Sequence, residues 1–418
     1  MTSRERFRKA LNHQATDRVP VDMGATWVTG IAASAYARLR PALGLEPQPT
    51  KVNEPLQLLG MVEDDVRLKL GIDVAGIWPT TTIFGYRNTG WKPWRLQDGT
   101  DVLVSEEFQT SEEANGDILI YPKGDRTASP SGRLPKGGFY FDAIVRQGPL
   151  DEDHLDPNDW ADQFGVFSDA DLKHYEQQTN HLYHNTEFGI ISNFGQGGLG
   201  DVAVVPGEML LNPKGIRDPN RWYEFLALHP DYIDGIFQLQ TEAALKNLKL
   251  LHQAVGNKLD AVIISGTDFG TQRGLIISPA MFRKLWKPYF TRMNKWVHEN
   301  TTWKVFYHSC GSVITLLDDF VEMGVDILNP VQCSAVGMEP ATLKAKYGDK
   351  LVFWGGGVDT QRTLPFGTPD EVYREVRQRI DIFGQNGGFV FNTIHNIQAP
   401  TPVENLLAMF RAIKESGK

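Results

Sequence analysis

Residues 304–330 read KVFYHSCGSVITLLDDFVEMGVDILNP and contain two short apolar runs, Lys304–Tyr307 and Asp326–Asn329, separated by a segment with helical spacing. Neither run alternates polar and apolar residues, as a strand with one solvated face would. Continuous apolar runs of this length are typical of strands that are buried on both faces of a parallel sheet. The stretch therefore predicts a strand–helix–strand unit.

The same pattern recurs along the chain, and helical segments such as Trp222–Leu251 and Pro369–Phe383 separate most of the apolar runs. The eight runs are Val19–Met23, Val74–Trp78, Phe188–Ser192, Ala261–Ser265, Lys304–Tyr307, Asp326–Asn329, Leu351–Trp354 and Phe389–Phe391. Eight strands that alternate with helices predict an α/β protein, namely a (β/α)8 TIM barrel that forms a single domain over residues 1–418.

One segment departs from this alternation. Within residues 90–187, Trp91–Leu96, Val102–Glu107 and Ile118–Tyr121 alternate like antiparallel strands and are separated by Asp-Gly and Asn-Gly turn signals. We expect an antiparallel β-rich insertion after strand 2, at the mouth of the barrel. An open doubly wound sheet is the main alternative, but no G-x-G-x-x-G follows the first strand, and Gly195–Gly200 lacks the ribose-binding acid.

Composition narrows the class of protein. The chain has 42 Lys and Arg against 51 Asp and Glu, a net charge of −9, and this acidic balance argues against nucleic-acid binding. Two cysteines cannot form a disulfide framework. No apolar stretch approaches the roughly 20 residues of a membrane span, and no signal peptide is recognisable. We expect a cytoplasmic protein that has no membrane partner.

Barrel enzymes carry their catalytic groups just after the carboxyl ends of the strands. Applied to the predicted strands, this rule selects the following candidates: Asp22, Trp78, Asp268, Phe269, Gln272, His308, Cys310, Asn329, Gln332, Cys333, Asp359 and His395.

The His308-x-Cys310 pair is notable because imidazole and thiolate are common zinc ligands, and catalytic zinc has three protein ligands and an open position. The third ligand could be His395, Cys333 or a carboxylate. Three other interpretations stay open: a Cys–His nucleophilic pair, a hydrolase that uses two carboxylates, and a set of purely structural side chains.

Several segments together resemble the uroporphyrinogen decarboxylase superfamily, and they cover nearly the whole chain outside residues 90–187. They are Thr16–Asp22, Phe306–Gly311, Gly324–Gln332, Trp354–Asp359, and Asn392 to Asn405 with its His395-Asn-Ile-Gln and Thr401-Pro-Val-Glu-Asn motifs. The resemblance implies a (β/α)8 barrel, in agreement with the strand count.

Two branches of this superfamily are distinguished by their motifs. The decarboxylases have an arginine-rich segment after the first strand, whereas residues 23–30 here read MGATWVTG and contain no arginine. The other branch consists of zinc-dependent methyltransferases such as methylcobalamin:coenzyme M methyltransferases, whose ligands are a His-x-Cys pair and a later Cys. His308 and Cys310 match the pair, and His395 stands at the later position.

The resemblance therefore implies a zinc-dependent methyltransferase in which His308, Cys310 and His395 hold the metal. We expect a small methoxy-type substrate and a corrinoid (cobalamin) acceptor, free or carried by a partner protein, because the chain has no D-x-H-x-x-G corrinoid motif. A homo-oligomer is possible.

The expected roles of the remaining residues follow from their chemistry. Asp268 or Asp22 would handle a proton or orient substrate, and the amides of Gln272, Asn329 and Gln332 suit a polar, uncharged ligand. Trp78 and Phe269 would supply apolar walls. The alternatives are a metal-independent lyase or decarboxylase, with Arg273 or Arg362 at the mouth, and a small-ligand-binding barrel without catalysis.

Overall fold

The computed structural model describes residues 1–417. The strands are β1 (Thr50–Glu54), β2 (Leu59–Gly60), β3 (Val74–Ile77), β4 (Trp91–Arg95), β5 (Asp101–Ser105), β6 (Thr110–Glu112), β7 (Ile118–Ile120), β8 (Gly132–Leu134), β9 (Asp142–Ala143), β10 (Gly189–Ser192), β11 (Ala261–Ser265), β12 (Lys304–His308), β13 (Ile327–Asn329), β14 (Val352–Trp354) and β15 (Phe389–Val390).

The helices are α1 (Ser3–Leu11), α2 (Ala33–Ala42), α3 (Asp64–Leu70), α4 (Asp169–Asn185), α5 (Pro219–Leu228), α6 (Pro230–Val255), α7 (Pro279–Leu285), α8 (Lys287–Asn300), α9 (Leu317–Glu322), α10 (Pro340–Tyr347), α11 (Thr363–Phe366), α12 (Pro369–Phe383) and α13 (Val403–Ser416).

A parallel sheet of seven strands forms the centre of the molecule. Its order is β15-β14-β13-β12-β11-β10-β3, so each strand from β10 onward lies beside the next one in the sequence. Every residue of β10, β11, β13 and β14 is buried, as the continuous apolar runs predict. The mixed α/β class and seven of the eight predicted strands are confirmed, and the sheet curls in the manner of a TIM-like fold.

The first predicted strand, Val19–Met23, is not a regular strand. Only Val21 forms a bridge, to Phe391, while the carbonyl of Val21 accepts the Asp73 N–H at 2.7 Å. Two features interrupt the ladder: Pro20 has no N–H to donate, and the Val21 N–H goes to the Asp73 carboxylate at 2.9 Å instead of a backbone carbonyl.

Asp73 also joins the amino-terminal segment to the sheet through charge. Its fully buried carboxylate accepts hydrogen bonds from Arg6 Nη1 and Arg18 Nη1, each at 2.6 Å. Arg6 is itself buried, so this ion pair is shielded from water. Removing the carboxylate would break a buried ion pair: Arg6 would keep only Asp17, 2.6 Å from its Nε, and Arg18 would lose its carboxylate partner.

The antiparallel insertion is present, and its organisation differs in two respects from the prediction. Two four-stranded sheets form, in the orders β2-β1-β5-β4 and β6-β7-β8-β9. Strands β1 and β2 precede β3 in the chain and nevertheless pair with the insertion. At the other end, the last part of residues 90–187 is α4, which a capping box at Ser168 starts and which packs on β3 and β10.

Of the two predicted helices, one forms as a single helix and the other is divided into two. Pro369–Phe383 forms α12 over the predicted residues, with a capping box between Thr368 and Glu371. Trp222–Leu251 is divided into α5 and α6 at His229, because Pro230 cannot continue the hydrogen-bond ladder of α5 and instead occupies the first turn of α6.

Apolar side chains fill the space enclosed by the curled sheet. Phe7, from α1, contacts Trp354 edge-to-face with ring centroids 5.3 Å apart, and both side chains are fully buried. Because α1 covers this end, ligands have access only from the carboxyl ends of the strands. None of the helices in residues 1–417 combines the length and apolar character needed to cross a bilayer.

The Asp73 ion pairs give a first test. We expect Asp73→Ala to lower the free energy of unfolding by about 3–5 kcal/mol, because it removes a buried carboxylate that pairs with both Arg6 and Arg18. Asp101→Ala is the matched control, since the Arg95–Asp101 pair is exposed and should contribute at most about 1 kcal/mol. Urea denaturation monitored by circular dichroism measures both, and equal effects would contradict the role assigned to Asp73.

Candidate metal centre

The carboxyl ends of four strands of the parallel sheet, β11, β12, β13 and β15, bring the candidate residues together. His308 is the last residue of β12, and Asn329 is the last residue of β13. Asp268 follows β11, and His395 follows β15. Parallel strands end at one edge of the sheet, so residues far apart in the sequence meet there.

The tautomer of His308 is fixed by Asn329. The Asn329 Nδ2 donates to the Trp354 carbonyl at 2.7 Å, so its Oδ1 faces the imidazole and accepts from His308 Nδ1 at 2.6 Å. With the proton on Nδ1, the lone pair on Nε2 points away from Asn329. The histidine is therefore oriented as a metal ligand, with the amide as the outer partner that metal-binding histidines have.

Three potential metal ligands converge at this lone pair. Cys310 Sγ lies 3.3 Å from His308 Nε2, and one ligand atom each of His308, Cys310 and His395 lies within 4.8 Å of the others. The two imidazole rings are 5.4 Å apart and inclined at 73°. Tetrahedral zinc requires N–S separations of about 3.6 Å. Small side-chain adjustments would give this spacing, so the donor set fits zinc.

Burial favours the uncharged form of each of these side chains. It lowers the pKa of His395 to about 3, and the neighbouring His308 acts in the same direction. Burial also lowers the pKa of His308, although Asp268 and Asn329 oppose it. Burial and the Asp268 carboxylate raise the pKa of the Cys310 thiol. The imidazole lone pairs are thus free, while a thiolate requires a cation beside it.

Asp268 is the acid closest to the cluster. Its Oδ1 accepts the Cys310 N–H at 2.6 Å and lies 3.8 Å from His308 Nε2. The same oxygen fixes the backbone of Cys310, so Asp268 positions this candidate ligand.

The other candidates for the third ligand lie elsewhere. Cys333 Sγ contacts the Val331 carbonyl at 3.3 Å and does not belong to the cluster. Asp22 is buried, where its carboxylate accepts from Trp354 Nε1 at 3.0 Å and from Ala25 N at 3.1 Å. Burial raises the pKa of Asp22 to about 6. These contacts give Asp22 a structural role next to the interior apolar cluster.

Two cavities border the cluster and share Thr360, Gln361 and His395. One, of 330 Å³, is lined by Cys310 and includes the predicted ligand-binding residues Gln272 and Gln332. The other, of 510 Å³, extends to the insertion at Phe139–Ala143. A molecule at the metal centre therefore contacts both the barrel loops and the insertion.

Three residues predicted to bind substrate line neither cavity. Asn329 is fully buried and holds His308. Phe269 is buried in the aromatic core, edge-on to Phe282 with centroids 5.0 Å apart. Trp78 lies beside Trp27, with centroids 6.5 Å apart. Position after a strand does not determine whether a side chain turns inward or outward, which explains these differences.

Sequence reasoning missed Thr360, Gln361 and Asp201. The first two follow β14 by a few residues, and Asp359 fixes their loop by accepting the N–H groups of Gln361 and Arg362. Burial raises the pKa of Asp201 to about 7, and Asp268 contributes. Asp201 follows the glycine-rich Gly195–Gly200 loop, and this loop is the only signal that could have pointed to it.

Comparison with known proteins places this geometry in a family. The family model described as Uroporphyrinogen decarboxylase (URO-D) matches residues 208–416, which is half of the chain. A uroporphyrinogen decarboxylase of Psychromonas ingrahamii is 25% identical over 176 residues, 40% of this chain and 47% of that protein. One of Actinobacillus succinogenes is 33% identical over 90 residues, 21% of this chain and 25% of that protein. The chain thus spans less than half the length of these curated relatives.

A solved structure extends the comparison to the whole fold. A methyltransferase from Methanosarcina mazei superimposes with a TM-score of 0.53 at 17% sequence identity, covering 99% of each chain. The two proteins therefore share their overall fold. On the family match and the shared fold, this chain belongs to the uroporphyrinogen decarboxylase family.

Proposed function

We propose that the protein is a zinc-dependent methyltransferase that moves the methyl group of a small methoxy-type substrate to a corrinoid, free or on a partner protein. The observation that carries the proposal is the convergence of His308 Nε2, Cys310 Sγ and His395 at the carboxyl end of the sheet, next to two cavities. The methyltransferase from Methanosarcina mazei, which has the same fold, supports it.

The donor set favours an oxygen-bound methyl group over a thiol acceptor. It contains one thiolate, compared with two in the methylcobalamin:coenzyme M methyltransferases that the sequence resembles. Zinc on this set keeps a formal charge of +1 (+2 from the ion, −1 from Cys310) and supplies Lewis acidity that stabilises negative charge on a leaving oxygen. An electron-rich site would instead suit a thiolate nucleophile.

In the proposed reaction the C–O bond of the methyl ether would break, and its electron pair would stay on the oxygen. A reduced corrinoid, when bound, would supply the nucleophile that accepts the methyl group as a CH3+ equivalent. A proton would complete the alcohol product, and Asp268, 3.8 Å from His308 Nε2, is the proposed donor of that proton.

Decarboxylation of a polyanionic substrate finds less support at this site. Among residues 1–417, no lysine or arginine lines either cavity. Arg362 lies instead at a separate groove with Phe366 and Arg374. Carboxylate groups bound without guanidinium or ammonium partners would lose hydration without compensation.

Metal analysis tests the centre directly. We expect about one zinc per purified chain and loss of the zinc in Cys310→Ala and His395→Ala, measured by inductively coupled plasma mass spectrometry on protein without an affinity tag. Cys333→Ala is the matched control, because it removes the other half-buried thiol and should keep the metal. Zinc retained in Cys310→Ala, or lost in Cys333→Ala, would contradict this ligand set.

The role of Asn329 gives a second test. We expect Asn329→Leu to weaken zinc binding by about 10–100-fold, because His308 loses the acceptor that fixes its tautomer. Asn405→Leu removes another buried amide, one that donates to Leu364 O and Gly367 O far from the cluster, and should leave zinc affinity unchanged. Competition with a chromophoric chelator measures both, and equal weakening would mean that the effect is only destabilisation.

An activity assay tests the direction of transfer. We expect zinc-loaded protein to convert cob(I)alamin to methylcobalamin with a neutral methyl ether, followed by absorbance, and Cys310→Ala to be at least about 100-fold slower. Cys333→Ala should react like the wild type. Faster methyl transfer from methylcobalamin to a thiol than from any methoxy compound would overturn the proposed direction.

A further inference from the structure

The 330 Å³ cavity contains a buried hydrogen-bond donor that has no partner in the described protein. Gln332 is 8% exposed, and its Oε1 accepts the Gly311 N–H at 2.7 Å. This contact fixes the amide, so its Nε2 is presented to the cavity, where none of residues 1–417 accepts from it. Because the amide opens onto the cavity, its free N–H groups favour a ligand that carries an acceptor oxygen there.

The surrounding side chains are nearly all neutral hydrogen-bonding groups. The Gln272 and Gln361 amides bond to each other at 3.2 Å, which leaves one amide oxygen and one amide nitrogen for a ligand. Hydroxyls of Ser334 and Thr360 complete this lining. An aryl ring in this cavity would desolvate these groups and return no hydrogen bonds, whereas a polyhydroxylated ring would satisfy them.

The charged side chains around the two cavities disfavour anionic ligands. Among the described residues that line the two cavities, the charged side chains are Asp359 and Asp142, with no lysine or arginine. Asp268 lies just beyond them, on the metal side. Apart from a bound metal, the only charged side chains near a carboxylate at Gln332 would be acidic, and an uncharged oxygen would avoid that repulsion.

The second cavity adds an apolar rim. Phe139 and Tyr140, from the insertion, line the 510 Å³ cavity and are 44% and 51% exposed. Adjacent exposed aromatic side chains beside a cavity mark a ligand-binding surface. They offer flat faces to the C–H groups of a ring that extends outward from His395.

We propose that the methyl donor is a neutral O-methylated sugar, bound with its hydroxyl groups on Gln332, Thr360 and Gln361 and its outer part against Phe139 and Tyr140. This inference rests on the proposed function and names its substrate class. The sugar oxygen would keep the C–O electron pair and take up one proton to give the free hydroxyl, while the methyl group would pass as a CH3+ equivalent to the reduced corrinoid, which would supply the electron pair of the new bond.

Two ligands that differ only at carbon 6 test the inference. Isothermal titration calorimetry on zinc-loaded protein should show binding of 4-O-methyl-D-glucose and at least about 10-fold weaker binding of 4-O-methyl-D-glucuronate, in which a carboxylate replaces the hydroxymethyl group. Gln332→Glu should weaken binding of the neutral sugar at least about 10-fold by removing the amide donor. Gln385→Glu, the same change on an exposed residue outside both cavities, should have no effect. Zinc content is measured in each variant.

The outcomes separate this inference from the proposed function. Equal or tighter binding of the glucuronate, tighter binding of 4-methoxyphenol, or unchanged binding in Gln332→Glu would overturn the sugar assignment. If such a protein still holds zinc and demethylates another methyl ether, the proposed function stands. If the protein binds the neutral sugar through Gln332 but takes up no zinc, the proposed methyltransferase function is wrong and the proposed sugar-binding site stands.

Discussion

The amide of Asn329 is the contact on which the arrangement of the site depends. Its Nδ2 donates a hydrogen bond to the Trp354 carbonyl on β14, and its Oδ1 accepts one from His308 Nδ1 on β12. Three adjacent strands are thereby linked by side-chain and backbone hydrogen bonds at one level. The lone pair of His308 is consequently aimed by the sheet itself, and Cys310 and His395 need only reach the same point from the loops that follow.

Much of this fold follows from the sequence, because buried parallel strands leave a strong apolar signal. Seven strands and α12 form where the pattern predicts them. The exceptions have specific causes: Pro20 and the Asp73 carboxylate interrupt the first strand, and Pro230 divides a long helix. The pairing of β1 with the insertion has no local signal, since it joins segments some fifty residues apart and depends on tertiary packing.

The sequence predicted that His308, Cys310 and His395 lie close together, and it predicted the residues that line the cavities less well. Strands of a parallel sheet end at one edge, which brings His308, Cys310 and His395 together irrespective of their separation. The direction of a side chain is harder to predict from the sequence, because it alternates along a strand and varies in loops. Asn329 and Phe269 therefore turned into the protein, whereas Thr360 and Gln361, on a loop shaped by Asp359, line the cavities.

The charge distribution connects the proposed metal ligands to the proposed substrate class. Two of the three proposed ligands, His308 and His395, are neutral imidazoles, and only Cys310 would bring a negative charge. Further negative charge lies outside this set, on Asp268, 3.8 Å from His308 Nε2. Such an arrangement leaves a bound metal electron-poor while keeping its surroundings negative. An anionic ligand would be attracted by an electron-poor metal but repelled by the carboxylates around it. A neutral oxygen ligand would gain from the metal without that repulsion, so it is the class of ligand that we propose.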